Sequence, residues 1–352
     1  MNAECGRARA ATGGYVHANA AFGDELGRLR LLEARYDPHT FRRPGMFGPL
    51  AGARCLEVGA GAGSVARWLA AQAGPSGQVV ATDSDPRFLA DTDKAGVEVR
   101  RHDILADPPA PGRYDLVHCR ALLCHLADLR QAVRNMAAAV RPGGWLLIED
   151  ADYVSLAAAE PAHPRAASFD QTVRRLLTFA ATSGAFDPFL GRCLPSLIAA
   201  AGLAEAGSEA IACHRRGGSG EAELLRRSVE RMHPMVLSNG TVGQKQLEAV
   251  SAATTDASFS FLDALSVAAW GRVSCSGASR NVPKTRSFGA PHFHKAPPAR
   301  TTTPAPGLTQ RRGCTPRDAE PANLRPACST SQPQQGAPRR RSGPTGSVTL
   351  SS

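Results

Sequence analysis

Three carboxylates, Glu57, Asp83 and Asp103, each stand at or just past the end of a short strand-like run, and Gly59, Gly61 and Gly63 follow the first of them. Alternating glycines permit backbone angles and close approaches that a side chain forbids, so this stretch reads as a loop that lets a ligand near the main chain. A carboxylate can accept hydrogen bonds from two vicinal hydroxyls, which is what a ribose presents. Asp83, about 20 residues past the loop, is placed for that task, with Ser84 beside it. Asp103 and Ile104 offer an acid for an exocyclic amino group and an aliphatic face for a flat ring. A dinucleotide loop is spaced G-x-G-x-x-G and sets its pyrophosphate on a helix N-terminus. Here the third glycine comes one residue early, Ser64 takes its place, and Glu57 would set a negative charge against a pyrophosphate. The same charge is favourable beside a sulfonium and an amino group. These residues therefore fit a cationic adenosyl cofactor; a tight strand–helix turn with no ligand is the plainer reading of the glycines taken alone.

Strands and helices must alternate to position such a set. Ala53 to Val58 reads as a buried central strand, and Ser64 is expected to cap a helix through Val65, Ala66, Trp68, Leu69 and Ala70. Further strands are expected over Gln78 to Thr82, Val97 to Arg101, Tyr114 to Cys119 and Trp145 to Asp150. Ala127 to Val140 has helical periodicity, and Arg141-Pro142-Gly143-Gly144 reads as a turn into the fifth strand. This alternation predicts an α/β fold with a parallel, doubly wound sheet whose ligands sit at the carboxyl ends of the strands. Each acid named above falls at or just past such an end.

In sequence the stretch from Arg54 to Asp150 resembles class I S-adenosylmethionine-dependent methyltransferases. Glu57-Val58-Gly59-Ala60-Gly61-Ala62-Gly63 matches that family's E/D-x-G-x-G-x-G loop. Asp83 matches its ribose acid, Asp103 its adenine-side acid, Tyr114 to Val117 its fourth-strand motif, and Arg141 to Gly144 the turn before its fifth strand. The resemblance implies a Rossmann-like seven-stranded sheet ordered 3-2-1-4-5-7-6, with the seventh strand antiparallel. It also implies an N-terminal helical cap over residues 1–45, in which Glu25, Arg28 and Leu29 fall, and a catalytic domain over 46–272. Leu194 to Gly202 is expected as a helix, Glu209 to His214 and Leu265 to Arg272 as the last strands, and 217–256 as a helical insertion between those strands. The implied cofactor is S-adenosyl-L-methionine, held by Glu57, Gly59, Gly61, Gly63, Asp83, Ser84, Asp103, Ile104 and Cys119.

Residues 273–352 are of a different composition. They hold 12 of the 26 prolines, two Phe and no Trp or Tyr, so they are expected to form a disordered tail. They also carry twelve Lys and Arg against two Asp and Glu, which is the whole +10 of the chain and leaves 29 charges of each sign on residues 1–272. A neutral domain removes the electrostatic case for a specific nucleic-acid partner. The 9 cysteines show no paired metal spacing and are expected as reduced thiols, with no metal site. No run of 18 apolar residues and no signal-type segment at the start point to a cytoplasmic protein without a membrane span.

A sulfonium methyl is already an activated electrophile, so catalysis needs in-line positioning and exclusion of water more than a triad. His125, a few residues past the fourth strand, is the candidate general base for an acceptor that must lose a proton; a helix-capping or packing role is its alternative. His118 reads as a core residue, Arg120 as a group that orients an acidic acceptor or forms an ion pair, and Asp150, Asp152 and Tyr153 as the acceptor side. His163 and Phe169 are candidates for a lid. Base-amino methyltransferases carry an Asn/Asp-Pro-Pro-aromatic motif after the fourth strand. This chain has His118-Cys119-Arg120-Ala121 there, and its Asp107-Pro108-Pro109-Ala110 comes too early and ends in alanine. A small-molecule acceptor is therefore expected. The competing readings are an enzyme of the same fold using NAD or decarboxylated S-adenosylmethionine, and a non-catalytic cofactor-binding protein.

Overall fold

The computed structural model describes residues 22–275 except 91, 93 and 94. The start of the expected N-terminal cap and the expected tail from residue 276 onward lie outside the described residues.

The element order begins with helix α1 (Phe22–Thr40), strand β1 (Arg54–Val58), helix α2 (Ser64–Ala73) and strands β2 (Gln78–Asp83), β3 (Val97–Arg101) and β4 (Tyr114–Arg120). Helix α3 (Leu129–Ala139), strand β5 (Val140–Asp152), the short strand β6 (Ala157–Ala158) and helices α4 (Ala166–Ser183) and α5 (Leu194–Ala200) follow. The chain continues through β7 (Ala204–Ile211), β8 (His214–Arg216), α6 (Gly220–Ser238), α7 (Gln244–Thr255), β9 (Ser260–Leu262) and β10 (Leu265–Arg272). Seven strands pair in the order β3-β2-β1-β4-β5-β10-β7, and β10 runs antiparallel to both its neighbours. Counted along this sheet alone, that is the 3-2-1-4-5-7-6 order expected from the sequence.

The strands are apolar on both faces, as a sheet covered by helices on both sides requires. Leu56, Val58, Val117, Leu146, Ile148, Val267 and Ala269 form one core with α3 and α5. Cys55, Val79, Ala81, Leu116, Leu147 and Ala268 form another with Val65, Ala66 and Leu69 of α2. On this second face the strands change character at their carboxyl ends, where Glu57, His118 and Glu149 replace the aliphatics. A third apolar cluster lies away from the sheet, where Phe169 and Val173 of α4 meet Val229 and Met232 of α6, Leu247 of α7 and Phe261 of β9.

Two differences from the sequence reading have physical causes. The strand expected over Glu209 to His214 starts at Ala204 and ends at Ile211, while His214 opens a separate strand. Its start was hidden by Gly207, whose missing side chain leaves room for the Trp270 ring; a Cβ there would lie 2.7 Å from the indole. Arg141 to Gly144 is not a free turn but an irregularity inside β5: Tyr114 pairs with Val140 and Leu116 with Trp145, so four residues bulge out opposite Asp115. The insertion over 217–256 is helical, and strands β8 and β9 flank it, pairing with β6 as a second sheet of order β6-β9-β8. Five described cysteines are free, and Cys193 is disulfide-bonded, against the expectation of reduced thiols throughout.

The segment after α1 is pinned to the domain by aromatic stacking and by one buried cation. Phe41 stacks on Trp68 with ring centroids 5.0 Å apart, and Phe47 on Trp145 at 4.6 Å. Arg43 is fully buried and reaches Glu149 at 3.0 Å and Glu209 at 3.1 Å. Glu149, Ala268 and Glu209 share one register row across β5, β10 and β7, so the small Ala268 leaves the guanidinium space between the two acids. Removing a buried partner strands an uncompensated charge. Arg43→Met is expected to lower the unfolding free energy by about 3–5 kcal/mol in chemical denaturation; a loss under about 1 kcal/mol would contradict the structural role given to Arg43.

Candidate active site

The turn from β1 to α2 is built by three glycines with φ of +72°, +57° and +86° at positions 59, 61 and 63. Side chains rarely adopt this left-handed region. Space adds to the constraint at two of them: a Cβ on Gly59 would lie 2.9 Å from Leu122, and one on Gly63 would lie 2.5 Å from the Thr92 hydroxyl. The loop is held from β2. Gly59 N and Ala60 N donate to Thr82 O at 2.8 and 3.0 Å, and the Thr82 hydroxyl donates to Glu57 O at 3.1 Å.

Asp83 is joined directly to the loop. One carboxylate oxygen accepts from Gly61 N at 2.9 Å and the other from Asp85 N at 2.9 Å. Burial raises its proton affinity above the ordinary carboxylate value, while these backbone donors oppose that shift. Ser84 beside it is exposed. Asp103 is exposed and accepts from Leu105 N at 2.9 Å, and its strand end is tied to Asp83 through His102 N, which donates to Asp83 O. Asn135 of α3 donates to Ile104 O at 2.7 Å and fixes this segment.

Two of the expected cofactor contacts need correction. Ile104 is 3% exposed and Cys119 is fully buried, and both side chains belong to the sheet core. Burial holds the Cys119 thiol well above its ordinary value, so it stays neutral and offers no ligand group. Neither side chain is open to a ligand, because both point toward α3 and α5 rather than toward the loop. Glu57 is also buried, at 2% exposure, and its Oε2 pairs with His118 Nδ1 at 2.6 Å. His118 is therefore a core residue, as expected, but a charged one. Its Nε2 makes an ionic contact with Glu149 Oε1 at 3.8 Å. Burial alone would lower its affinity for a proton; Glu57 and Glu149 outweigh burial and lift its pKa to about 9. Burial would raise Glu149 likewise, but His118 and Arg43 hold it near its low value of about 2.

The structure brings in two acids that sequence reasoning missed. Glu33 and Asp37 of α1 reach the start of α2, where Ser64 N donates to Glu33 Oε1 at 2.8 Å and Ser64 Oγ donates to Asp37 Oδ1 at 2.8 Å. Ser64 is thus not a cap for its own helix, as had been expected; Gly63 takes the N-cap position and the serine hydroxyl is spent on α1. The available signal was the i, i+4 spacing of Glu33 and Asp37, which sets both on one face of a helix. Leu29 of α1 also approaches the loop, 3.5 Å from where a Gly61 Cβ would stand. Arg120 at the end of β4 completes the junction, donating to Asp37 and to Thr40 at 2.9 Å each. It serves as an internal tie rather than a group open to an acceptor.

On the acceptor side the correction is larger. Asp150 is buried in β5 and accepts from Cys124 N and Ala151 N; burial pushes its pKa up to about 6. It anchors the turn Leu123–His125 and does not face outward. Asp152 is buried and paired with Arg192. Tyr153 and His125 both lie against Phe186, with ring centroids 6.0 and 6.2 Å away. Phe169 is a core residue of the α4–α6–α7 cluster, and His163 contacts Ser258 and the Phe259 ring, so neither is free to act as a lid.

This arrangement can hold a cation at the loop more readily than a pyrophosphate. The N-terminus of α2, where a phosphate would dock, already carries Glu33, and Glu57, Asp37 and Asp83 stand close to it in the fold. Residues 31–185 match a family model described as a methyltransferase domain. That stretch is similar to methyltransferase domains. It is 34% identical over 102 residues to methyltransferase str3 of Strobilurus tenacellus, covering 29% of this chain and 36% of that protein. It is 31% identical over 140 residues to a ubiquinone biosynthesis O-methyltransferase of Bordetella avium, covering 35% and 58% respectively. The chain thus spans between about a third and three fifths of the curated relatives it matches. A solved structure of Haemonchus contortus phosphoethanolamine N-methyltransferase 2 with S-adenosyl-L-methionine is 16% identical, with a TM-score of 0.41, covering 74% of this chain and 55% of that one.

The His118 shift carries a sign. Its folded pKa lies above the ordinary histidine value, so its contribution to stability is complete below about pH 6.5 and is lost as pH rises through about 9. Thermal unfolding between those pH values is expected to show a falling midpoint, and His118→Gln is expected to flatten that slope. An unchanged slope in the variant would contradict the charged assignment.

Proposed function

We propose that this chain is a cytoplasmic enzyme that moves the methyl group of S-adenosyl-L-methionine to an O, N or C atom of a small-molecule acceptor. The observation that carries this reading is the junction at Ser64. A carboxylate from α1 occupies the helix start that a dinucleotide needs for its pyrophosphate, while Gly61 N and Asp83 stand together at the end of β2. This opposes the NAD reading and supports a cofactor whose reactive end is cationic. The three left-handed glycines form the cradle, Asp83 would take the ribose hydroxyls, Asp103 the adenine amino group, and Glu57 the methionine end.

When bound, S-adenosyl-L-methionine supplies a methyl group already activated for displacement. The remaining work falls to the chain. Leu29 of α1 and Leu122 after β4 lie against Gly61 and Gly59 and would help to shield a bound cofactor from water. His125, on the turn fixed by Asp150, would accept a proton from a hydroxyl or ammonium acceptor, with Phe186 and Tyr153 beside it as support for an acceptor pocket. The short turn after β4 offers no aromatic clamp of the kind used for a flipped base, and the balanced charge on residues 1–272 supports a small acceptor.

Mass spectrometry of the gently purified full chain is expected to find S-adenosylmethionine or S-adenosylhomocysteine bound; a co-purified dinucleotide would overturn the proposal. Asp83→Ala is expected to weaken binding of S-adenosylhomocysteine by about 1–3 kcal/mol in a calorimetric titration, the range for a buried acceptor left out of its hydrogen bonds. An unchanged affinity would remove Asp83 from the site.

A further inference from the structure

His118 has no part in the roles proposed above, yet it is a titratable group only 1% exposed, one strand away from the glycine loop. The register of β1 and β4 sets it directly opposite Glu57, and the 2.6 Å contact between Nδ1 and Oε2 follows from that register. Glu149 of β5 faces its other nitrogen. The other charged and titratable groups around this pair are also accounted for. Arg43 lies 3.0 Å from Glu149, Thr40 of α1 donates to Glu149, and Arg120 of β4 is committed to Asp37 of α1. The neighbouring thiols Cys55 and Cys119 are held neutral by burial. Thr82 of β2 meets only the backbone oxygen of Glu57. The cation that pairs with the Glu57 carboxylate is therefore His118.

We infer that His118 is a positioning residue that keeps Glu57 a carboxylate and aims it along the strand end, so that the site attracts its cationic cofactor at mildly acid as well as neutral pH. This rests on the cofactor reading given above. A carboxylate buried as deeply as Glu57 but lacking a cationic partner is driven toward its protonated form, because burial disfavours the charge. The neutral acid would no longer draw a sulfonium or an ammonium. The imidazolium persists to about pH 9, so it supplies its charge throughout the range in which the cofactor would be bound. A strand-core histidine kept only for packing would have no such effect on ligand binding, since its replacement would alter affinity by the same factor at every pH.

The test is the dissociation constant of S-adenosylhomocysteine for the full-length chain and for His118→Gln, each titrated calorimetrically between about pH 5.5 and 7.0. That window lies below the titration of the ligand's own amino group. The other ionisable groups of the site are common to both proteins, so the ratio of variant to wild-type constants is the readout. It is expected to rise about tenfold from the neutral to the acid end, as for the uptake of one proton. A ratio independent of pH overturns the inference while leaving the cofactor reading intact. Absence of binding by the wild-type chain overturns both. Should His118→Gln not fold, the wild-type chain and Glu57→Gln can be compared by imidazole nitrogen resonances. His118 is expected to remain doubly protonated to about pH 9 in the wild type and to lose its proton at least one pH unit lower in Glu57→Gln; equal titration in both overturns the pairing.

Discussion

A row of alternating charge across the sheet, buried from Glu57 through His118 and Glu149 to Arg43 and ending at the half-buried Glu209, is the constraint on which the rest of the site depends. Burying charge is costly unless each group meets its opposite at close range. Here the register of β1, β4, β5, β10 and β7 supplies the spacing, and Arg43 from the segment after α1 supplies the last cation. The row therefore does two things at once. It fastens the N-terminal cap to the carboxyl ends of the strands, and it gives the carboxyl group of Glu57 beside the glycine loop a close histidine partner.

The junction between α1 and α2 extends the same logic. Ser64, Glu33, Asp37 and Arg120 tie the cap helix to the loop through hydrogen bonds to both the backbone and the hydroxyl of one serine. Glu33 gains from the partial positive charge of a helix start, and its presence there makes that end unsuited to a phosphate. On the proposed reading, cofactor preference comes partly from a helix that precedes the loop in sequence, and not from the loop alone. The same contacts keep Leu29 over Gly61, so shielding of the loop and selection of its ligand share one set of bonds.

Much of this was legible in the sequence because it lies in local pattern. The strand over Val97 to Arg101 could be read to the residue from its local sequence, and the last strand from Leu265 to Arg272 was implied by the family resemblance. The left-handed glycines and the acid at the end of β2 were legible for the same reason. What escaped depends on contacts between distant segments. Nothing near Arg43 or Glu149 marks them as partners 106 residues apart. Nothing near Cys119 or Ile104 shows which face of the sheet they will occupy, and a single step along a strand decides between core and site. Asp150 was placed at the acceptor side because β5 was expected to end there, whereas the ladder to β10 carries the strand on to Asp152 and buries the acid. His163 and Phe169 were misread because the cluster of α4, α6, α7 and β9 has an aromatic core of its own, assembled from segments far apart in sequence.

The central claim is that acids fixed by this buried row and by α1 select a cationic adenosyl cofactor over a phosphate-bearing one. Its most direct test is a competition titration of the full-length chain with S-adenosylmethionine and NAD at neutral pH and moderate salt. The account predicts saturable, one-to-one binding of S-adenosylmethionine that an excess of NAD does not displace. Binding of NAD in its place, or displacement of S-adenosylmethionine by NAD, would contradict it.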